Sequence, residues 1–201
     1  MNKTRFIVLV CWPILWLVGC ATTPPPQPID HDAWLAHVRD VHAIERWQVN
    51  AKLLGDRSGE KFRARFVWEQ YPSGYEIQLL SAFGNRLALI KSAENQVEVI
   101  TSKGQRYVDR DAQALTKRLF NIELPIAEMR YWSLGVPDPK EQHEPIEFNE
   151  LGYARAFNQN GWSVQYQSYQ QDLDIPLPRE FSMASEGFEA RVIVASWRDV
   201  K

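Results

Sequence analysis

Trp47-Gln-Val-Asn-Ala-Lys-Leu53 and Lys61-Phe-Arg-Ala-Arg-Phe-Val-Trp68 are the two stretches whose reading decides the fold. In the first, Trp47, Val49, Ala51 and Leu53 alternate with Gln48, Asn50 and Lys52. In the second, Phe62, Ala64, Phe66 and Trp68 alternate with Lys61, Arg63 and Arg65. Successive side chains of a strand point to opposite faces, so a period of two puts the rings and branched chains on one face and the charges on the other. Gly55-Asp-Arg-Ser-Gly59 separates the stretches, which makes them an antiparallel pair.

The same writing continues outward. Tyr71-Pro-Ser-Gly74 is a turn, and Tyr75, Ile77 and Leu79 alternate up to Ser81-Ala-Phe-Gly-Asn85. Leu87 and Leu89 open another strand, Val97 and Val99 a further one, and Lys103-Gly104-Gln105 is a tight turn. The first half is therefore a meander of adjacent antiparallel strands. Residues 111–121 and 125–134 read as helical pieces, with Pro125 able to take the first helical position and Gly135 to end the second piece. Strand patterns return at 153–159, 162–166, 180–184 and 191–197, with Asn160-Gly161 as a hairpin signal. Trp34, Leu35, Val38, Val41 and Ile44 fall on one helical face within 29–45, capped by Asp30 or Asp32.

These elements predict a mainly β protein with helices, in which a strongly curved antiparallel sheet is covered by helices across its open side. A solid interior and a lined cavity leave the same alternation, so the pattern leaves both open.

The N-terminal residues carry a different signal. Lys3 and Arg5 precede a nearly continuous apolar run from Phe6 to Val18, followed by Gly19 and Cys20. Positive charge, a short apolar core and a small residue before the cut are the order a signal peptide needs. The run is too short for a standard spanning helix. Leu17-Val-Gly-Cys20 resembles a bacterial lipobox, which implies removal of residues 1–19 and acylation of Cys20. Ala21 follows, with no Asp to suggest retention in the inner membrane. Residues 20–28, rich in proline, read as a lipidated cysteine and an extended tether, and residues 29–201 as a single domain.

Composition narrows the function. Of 201 residues, 23 are Lys or Arg and 25 are Asp or Glu, a net charge of -2 that does not suggest a nucleic-acid surface. Eight Trp, seven Tyr and nine Phe suit a large apolar interior or a lipid cavity. Once the signal is removed, Cys20 is the one cysteine left, which excludes an intrachain disulfide and thiol catalysis. His31, His37, His42 and His143 do not share a face and no HExxH is present, so no metal is expected. Phosphate loops and the GxSxG elbow are absent, and the acids are scattered, so the reading is of a non-enzyme without cofactors. Phe83 stands out as an aromatic among turn residues. Gly84 lets the chain reverse while the ring either projects from the tip or folds over the sheet edge.

The chain resembles the LolB family of outer-membrane lipoproteins. The resemblance is carried by 64–70 (ARFVWEQ), 75–79 (YEIQL) with Phe83-Gly84, 103–107 (KGQRY), Leu124-Pro-Ile126, Met129-Arg-Tyr-Trp132 with Leu134-Gly-Val-Pro137, 161–166 (GWSVQY), Leu177-Pro178 and the closing 192–197 strand. It implies an incomplete antiparallel barrel around an apolar cavity with helices as a lid. It also implies that the protein receives lipoproteins from a periplasmic LolA-like carrier and inserts them into the inner leaflet of the outer membrane, acting as a monomer. A protruding apolar residue of the family, usually Leu and often preceded by Pro, matches Phe83 after Ala82, so Phe83 and Gly84 are the expected insertion loop. Alternation then assigns Trp47, Val49, Leu53, Phe66, Trp68, Ile77, Leu79, Leu87, Leu89, Val97 and Val99 to the cavity lining. Met129 and Trp132 are lid candidates. A solid-cored envelope scaffold and a carrier of free lipid are the alternatives.

Overall fold

A computed structural model describes residues 31–94 and 96–201. The signal, Cys20 and the tether lie outside the described residues. The elements are α1 (His31–His42), β1 (Trp47–Arg57), β2 (Glu60–Tyr71), β3 (Gly74–Leu80), β4 (Arg86–Ala93), β5 (Gln96–Thr101), β6 (Arg106–Asp109), α2 (Ala112–Phe120), α3 (Ile126–Ser133), β7 (Glu147–Phe148), β8 (Ala154–Gln159), β9 (Trp162–Gln170), β10 (Leu177–Ser185) and β11 (Phe188–Arg198).

The strands form one antiparallel sheet of eleven, in the order β6-β5-β4-β3-β2-β1-β11-β10-β9-β8-β7. The chain steps outward from β1 to β6, passes through α2 and α3 to the far edge, and steps back until β11 pairs with β1. The first and last strands are thus central, with Lys52 opposite Ile193 on one side and Arg65 on the other.

The expected strongly curved, incomplete barrel is corrected here: the fold is mixed α/β, built on an open sheet. No ladder joins β6 to β7, and each of these end strands has one strand neighbour. Alternation shows which face of a strand is apolar. It carries no signal for closure, which needs two edges to share hydrogen bonds. The edges are short, four residues in β6 and two in β7, which limits the unpaired backbone they offer to other chains.

The hairpins have local causes. Ser58 and Gly59 both take positive φ, 50° and 91°, as do Asn160 and Gly161, 50° and 76°. Two such residues in succession match the right-handed twist of the flanking strands. Asp111 caps α2 by accepting from the backbone N–H groups of Gln113 and Ala114, and Asn121 ends it in the left-handed region. Pro125 sits at the N-cap of α3 rather than inside it.

One end of the inner sheet face is solid. Trp47 is 1% exposed, with its ring centroid 5.2 Å from that of Trp68 and 5.5 Å from that of Trp197. Val49, Val97 and Val99 are buried in the same core.

Helix α1 docks through Trp34, whose ring meets Phe148 edge-on at 5.2 Å, and His37, 4.9 Å from the Tyr153 ring. His37 is buried and its Nε2 has no hydrogen-bond partner. Burial lowers its pKa from 6.5 to about 4, with Asp40 opposing the shift. The folded ring therefore stays neutral where the unfolded ring takes a proton. Stability from this site is complete above pH 6.5 and is lost as the pH falls from there to about 4. Urea unfolding midpoints measured across that window fall with pH, and His37→Leu flattens the decline. The residual slope belongs to His42, whose pKa burial also lowers, and toward pH 4 to Glu76, Glu98 and Asp109, whose carboxyls Lys91, Arg106 and backbone N–H groups respectively hold below their usual values.

Candidate functional site

The other end of the inner face is hollow. Leu53 of β1, Phe62, Phe66 and Trp68 of β2, Ile77 and Leu79 of β3 and Ile90 of β4 form its floor, with Met183, Phe188 and Val192 from β10 and β11. Leu119 and Phe120 of α2, Ile122 and Leu124 of the connector, and Ile126 and Met129 of α3 form its roof. The pocket holds about 590 Å³ and its walls are overwhelmingly apolar. The mouth is polar, with Arg57, Glu60, Lys61, Arg118 and Asn121. Arg57 ties the roof to the floor: its Nη1 donates to Phe120 O at 2.9 Å and its Nη2 to Glu60 Oε2 at 2.8 Å.

Five of the eleven lining candidates, Leu53, Phe66, Trp68, Ile77 and Leu79, stand on the pocket wall. Trp47, Val49, Val97 and Val99 belong to the buried core rather than to this wall. On β4 the phase differs by one residue. A bulge after Leu79 pairs Leu79 with Ala88 and Ile77 with Ile90, so Ile90 faces the pocket, Leu89 is buried away from its wall and Leu87 is 41% exposed. Among the lid candidates, Met129 reaches the pocket. Trp132 is fully buried beside it, within a hydrogen-bonded anchor.

That anchor centres on Gln159, a residue alternation had not singled out. Gln159 Oε1 accepts from Trp132 Nε1 at 2.8 Å and from Asp138 N at 3.0 Å, while Nε2 donates to Asp138 O at 2.9 Å and Glu141 O at 3.1 Å. Tyr166 Oη donates to Trp132 O at 2.8 Å, and Asn160 Nδ2 to Glu128 Oε1 at 3.0 Å. Helix α3 is thereby pinned to β8 and β9. The roof residues Leu119 and Ile122 follow Leu115 at spacings of four and seven, a helical period legible in the sequence but not tied there to the cavity.

Phe83 is 93% exposed at the tip of the β3–β4 hairpin. Ser81 N donates to Asn85 O at 2.8 Å, Gly84 N to Ser81 O at 2.9 Å and Asn85 N to Ser81 Oγ at 3.2 Å, so the tip is a closed turn. Gly84 has φ 86°, the left-handed geometry that such a turn needs. Arg65 of β2 pairs with Leu80, which sets the hairpin tip beside the first half of β2, next to Phe62 on the pocket floor.

No group of residues suited to holding a metal occurs among the described residues, and no helix there is long and apolar enough to cross a membrane. The described residues thus form an open antiparallel sheet roofed by two helices over an apolar pocket, with an aromatic-tipped hairpin joining β3 to β4. The chain belongs to the LolB family: the family model for outer membrane lipoprotein LolB matches residues 45–197. The outer-membrane lipoprotein LolB of Vibrio cholerae serotype O1 is 28% identical over 189 residues, covering 92% of this chain and 91% of that one. The corresponding protein of Chromohalobacter salexigens is 28% identical over 185 residues, covering 90% and 85%. In fold, the chain is similar to a LolA superfamily protein from Nitrosomonas europaea, with a TM-score of 0.54 at 10% identity over 85% of this chain and 94% of that one. A DUF1329 family protein from Desulfovibrio piger is equally similar, with a TM-score of 0.55 at 8% identity over 85% and 92%. Family membership makes this an outer-membrane lipoprotein with a non-catalytic part in lipoprotein trafficking.

Proposed function

We propose that this protein accepts acylated lipoproteins from a periplasmic LolA-like carrier, shelters their acyl chains in the apolar pocket, and releases them into the inner leaflet of the outer membrane. The observation that carries this reading is the pocket itself, an apolar volume of about 590 Å³ kept open between sheet and helices in a protein of this family. Exposed acyl chains cost roughly 0.8 kcal/mol per methylene, so three chains of about 15 methylenes represent on the order of 35 kcal/mol. Transfer must therefore run from one apolar container to the next. Release runs downhill because the bilayer holds the chains more favourably than the pocket.

At roughly 30 Å³ for a group the size of a water or methylene, the pocket takes about 20 such groups, closer to one chain than three. Uptake of more requires the roof to move. Helix α3 is held by the Gln159 anchor, whereas α2 meets the hairpin through the Arg57–Phe120 hydrogen bond. In this reading α2 and the 121–125 connector are the part that lifts, and Cys20 with the 21–28 tether holds the domain at the membrane.

Phe83 is the release element. Sinking one fully exposed ring into lipid is worth about 2 kcal/mol, a factor on the order of 30. Phe83→Glu leaves cargo uptake from a loaded carrier near that of the parent and lowers delivery to phospholipid vesicles by at least this factor, followed by co-purification and vesicle flotation. Equal delivery by F83E and the parent sinks the role of the residue. Cargo staying on an active carrier when the folded parent is added sinks the reading as a whole.

A further inference from the structure

We infer that the outer face of β2 and β4 beside the Phe83 tip is a binding surface for anionic phospholipid headgroups, so that membrane engagement is set by leaflet charge as well as by the ring. The inference rests on the insertion role proposed for Phe83 and names the lipid class that the tip selects. The outward phase of β2 carries Lys61, Arg63 and Arg65, all exposed, and β4 opens with exposed Arg86 directly after the turn. Arg65 sits under the tip: a Cβ built on Gly84 would lie 3.3 Å from Arg65 Nη2. The Arg65 guanidinium therefore lies against the turn that holds Phe83.

Most acids near this end are otherwise engaged, with exposed Glu189 standing two strands away from Lys61, opposite Asp56 on β11. Asp56, opposite Lys61, accepts from Gly59 N at 2.7 Å, and Glu60 pairs with Arg57 on the inner phase. Glu98 pairs with Arg106. Arg63, Arg65 and Arg86 form no ion pair among the described residues; Glu69 and Glu76 of the same outer face lie toward the opposite end of β2 and β3, where Lys91 chiefly holds the Glu76 carboxyl low and the charge of Arg86 adds a smaller pull. A wholly exposed ring flanked by unpaired guanidinium groups suits an interface that is apolar inside and phosphate-rich at its surface. Arginine forks bind phosphate oxygens in pairs.

The test uses the mature lipid-anchored protein with Ala82→Cys carrying an environment-sensitive fluorophore, leaving Phe83 in place. It is reconstituted into vesicles of phosphatidylethanolamine, alone or with increasing phosphatidylglycerol. Each basic side chain near an anionic leaflet contributes a factor of about 5. The blue shift that reports insertion therefore grows with phosphatidylglycerol and is weakened by salt. The Arg63→Gln, Arg65→Gln, Arg86→Gln variant lowers the insertion constant on the order of 100-fold, with circular dichroism confirming its fold. Insertion that is equal for this variant and the parent at every lipid composition overturns the inference. So does a variant that inserts normally but no longer draws cargo from the carrier, which makes the patch a protein-docking face. Phe83→Glu in the same assay separates the two readings: loss of insertion in all vesicles with no charge dependence in the parent keeps the role of Phe83 and removes the headgroup site.

Discussion

Leu79→Arg abolishes cargo uptake while leaving the protein folded. Leu79 stands on the pocket floor, half-buried, opposite Phe66 on β2 and Ala88 on β4. A guanidinium there has a long apolar stem and a nearby mouth, so it can reach water when the pocket is empty and the fold holds. Acyl chains entering the pocket strip that water from a charge that no free acid on the wall can meet, since Glu60 is already paired with Arg57. An uncompensated desolvation of about 3 kcal/mol or more lowers affinity at least on the order of 100-fold. The assay is transfer of an acylated lipoprotein from its carrier, with thermal unfolding recorded alongside. Leu79→Met, close in volume and more adaptable, keeps uptake within a few-fold of the parent. Normal uptake by folded L79R would place the acyl site elsewhere.

Gln159→Leu has the largest expected effect on stability. The side chain is 2% exposed and uses both amide hydrogens and both oxygen lone pairs. Leucine fills a similar space and leaves Trp132 Nε1–H, Asp138 N–H and the Glu141 carbonyl without their partner, while Asp138 O keeps the Glu141 N–H as a donor at 3.3 Å. Each buried polar group so stranded costs about 1–3 kcal/mol. With the carbonyl of exposed Glu141 rehydrated, a total near 4 kcal/mol is expected. For a chain of this size that is roughly 10 °C in the unfolding midpoint. Because Trp132 is the inner support of α3, the loosened helix also lets the pocket admit an apolar fluorophore faster than the parent does. An unchanged midpoint would show that α3 is held by burial alone.

Much of the fold was legible. The pairing of β1 with β2 follows the alternation residue by residue, with Val49 opposite Trp68 and Ala51 opposite Phe66. Asn160-Gly161 forms the hairpin it announced. The helices expected at 111–121 and 125–134 occupy Ala112–Phe120 and Ile126–Ser133. Leu87 and Leu89 show where such reading stops. A bulge between Leu79 and Leu80 moves the partner phase onto Ala88 and Ile90, and nothing in the apolar pattern of β4 marks that step. Gln159 was silent for a different reason: a polar residue at a buried position reads as an ordinary exposed one until its three partners, Trp132, Asp138 and Glu141, are brought beside it.

What the sequence alone determined about this protein is local: which residues are strand and helix, where the chain reverses, which face of each strand is apolar, and the motifs that tie it to its family. These follow from backbone geometry and from the two-residue and 3.6-residue periods, which act over a few residues. Only the tertiary structure decided that the sheet stays open, with β6 and β7 unjoined, and that its apolar face is solid around Trp47 but hollow around Leu79. Both depend on how distant segments meet. Closure requires two edges to share hydrogen bonds, and a cavity exists where roof residues 119–129 stop short of the floor. An alternating strand reads the same whether its apolar face meets side chains or empty space.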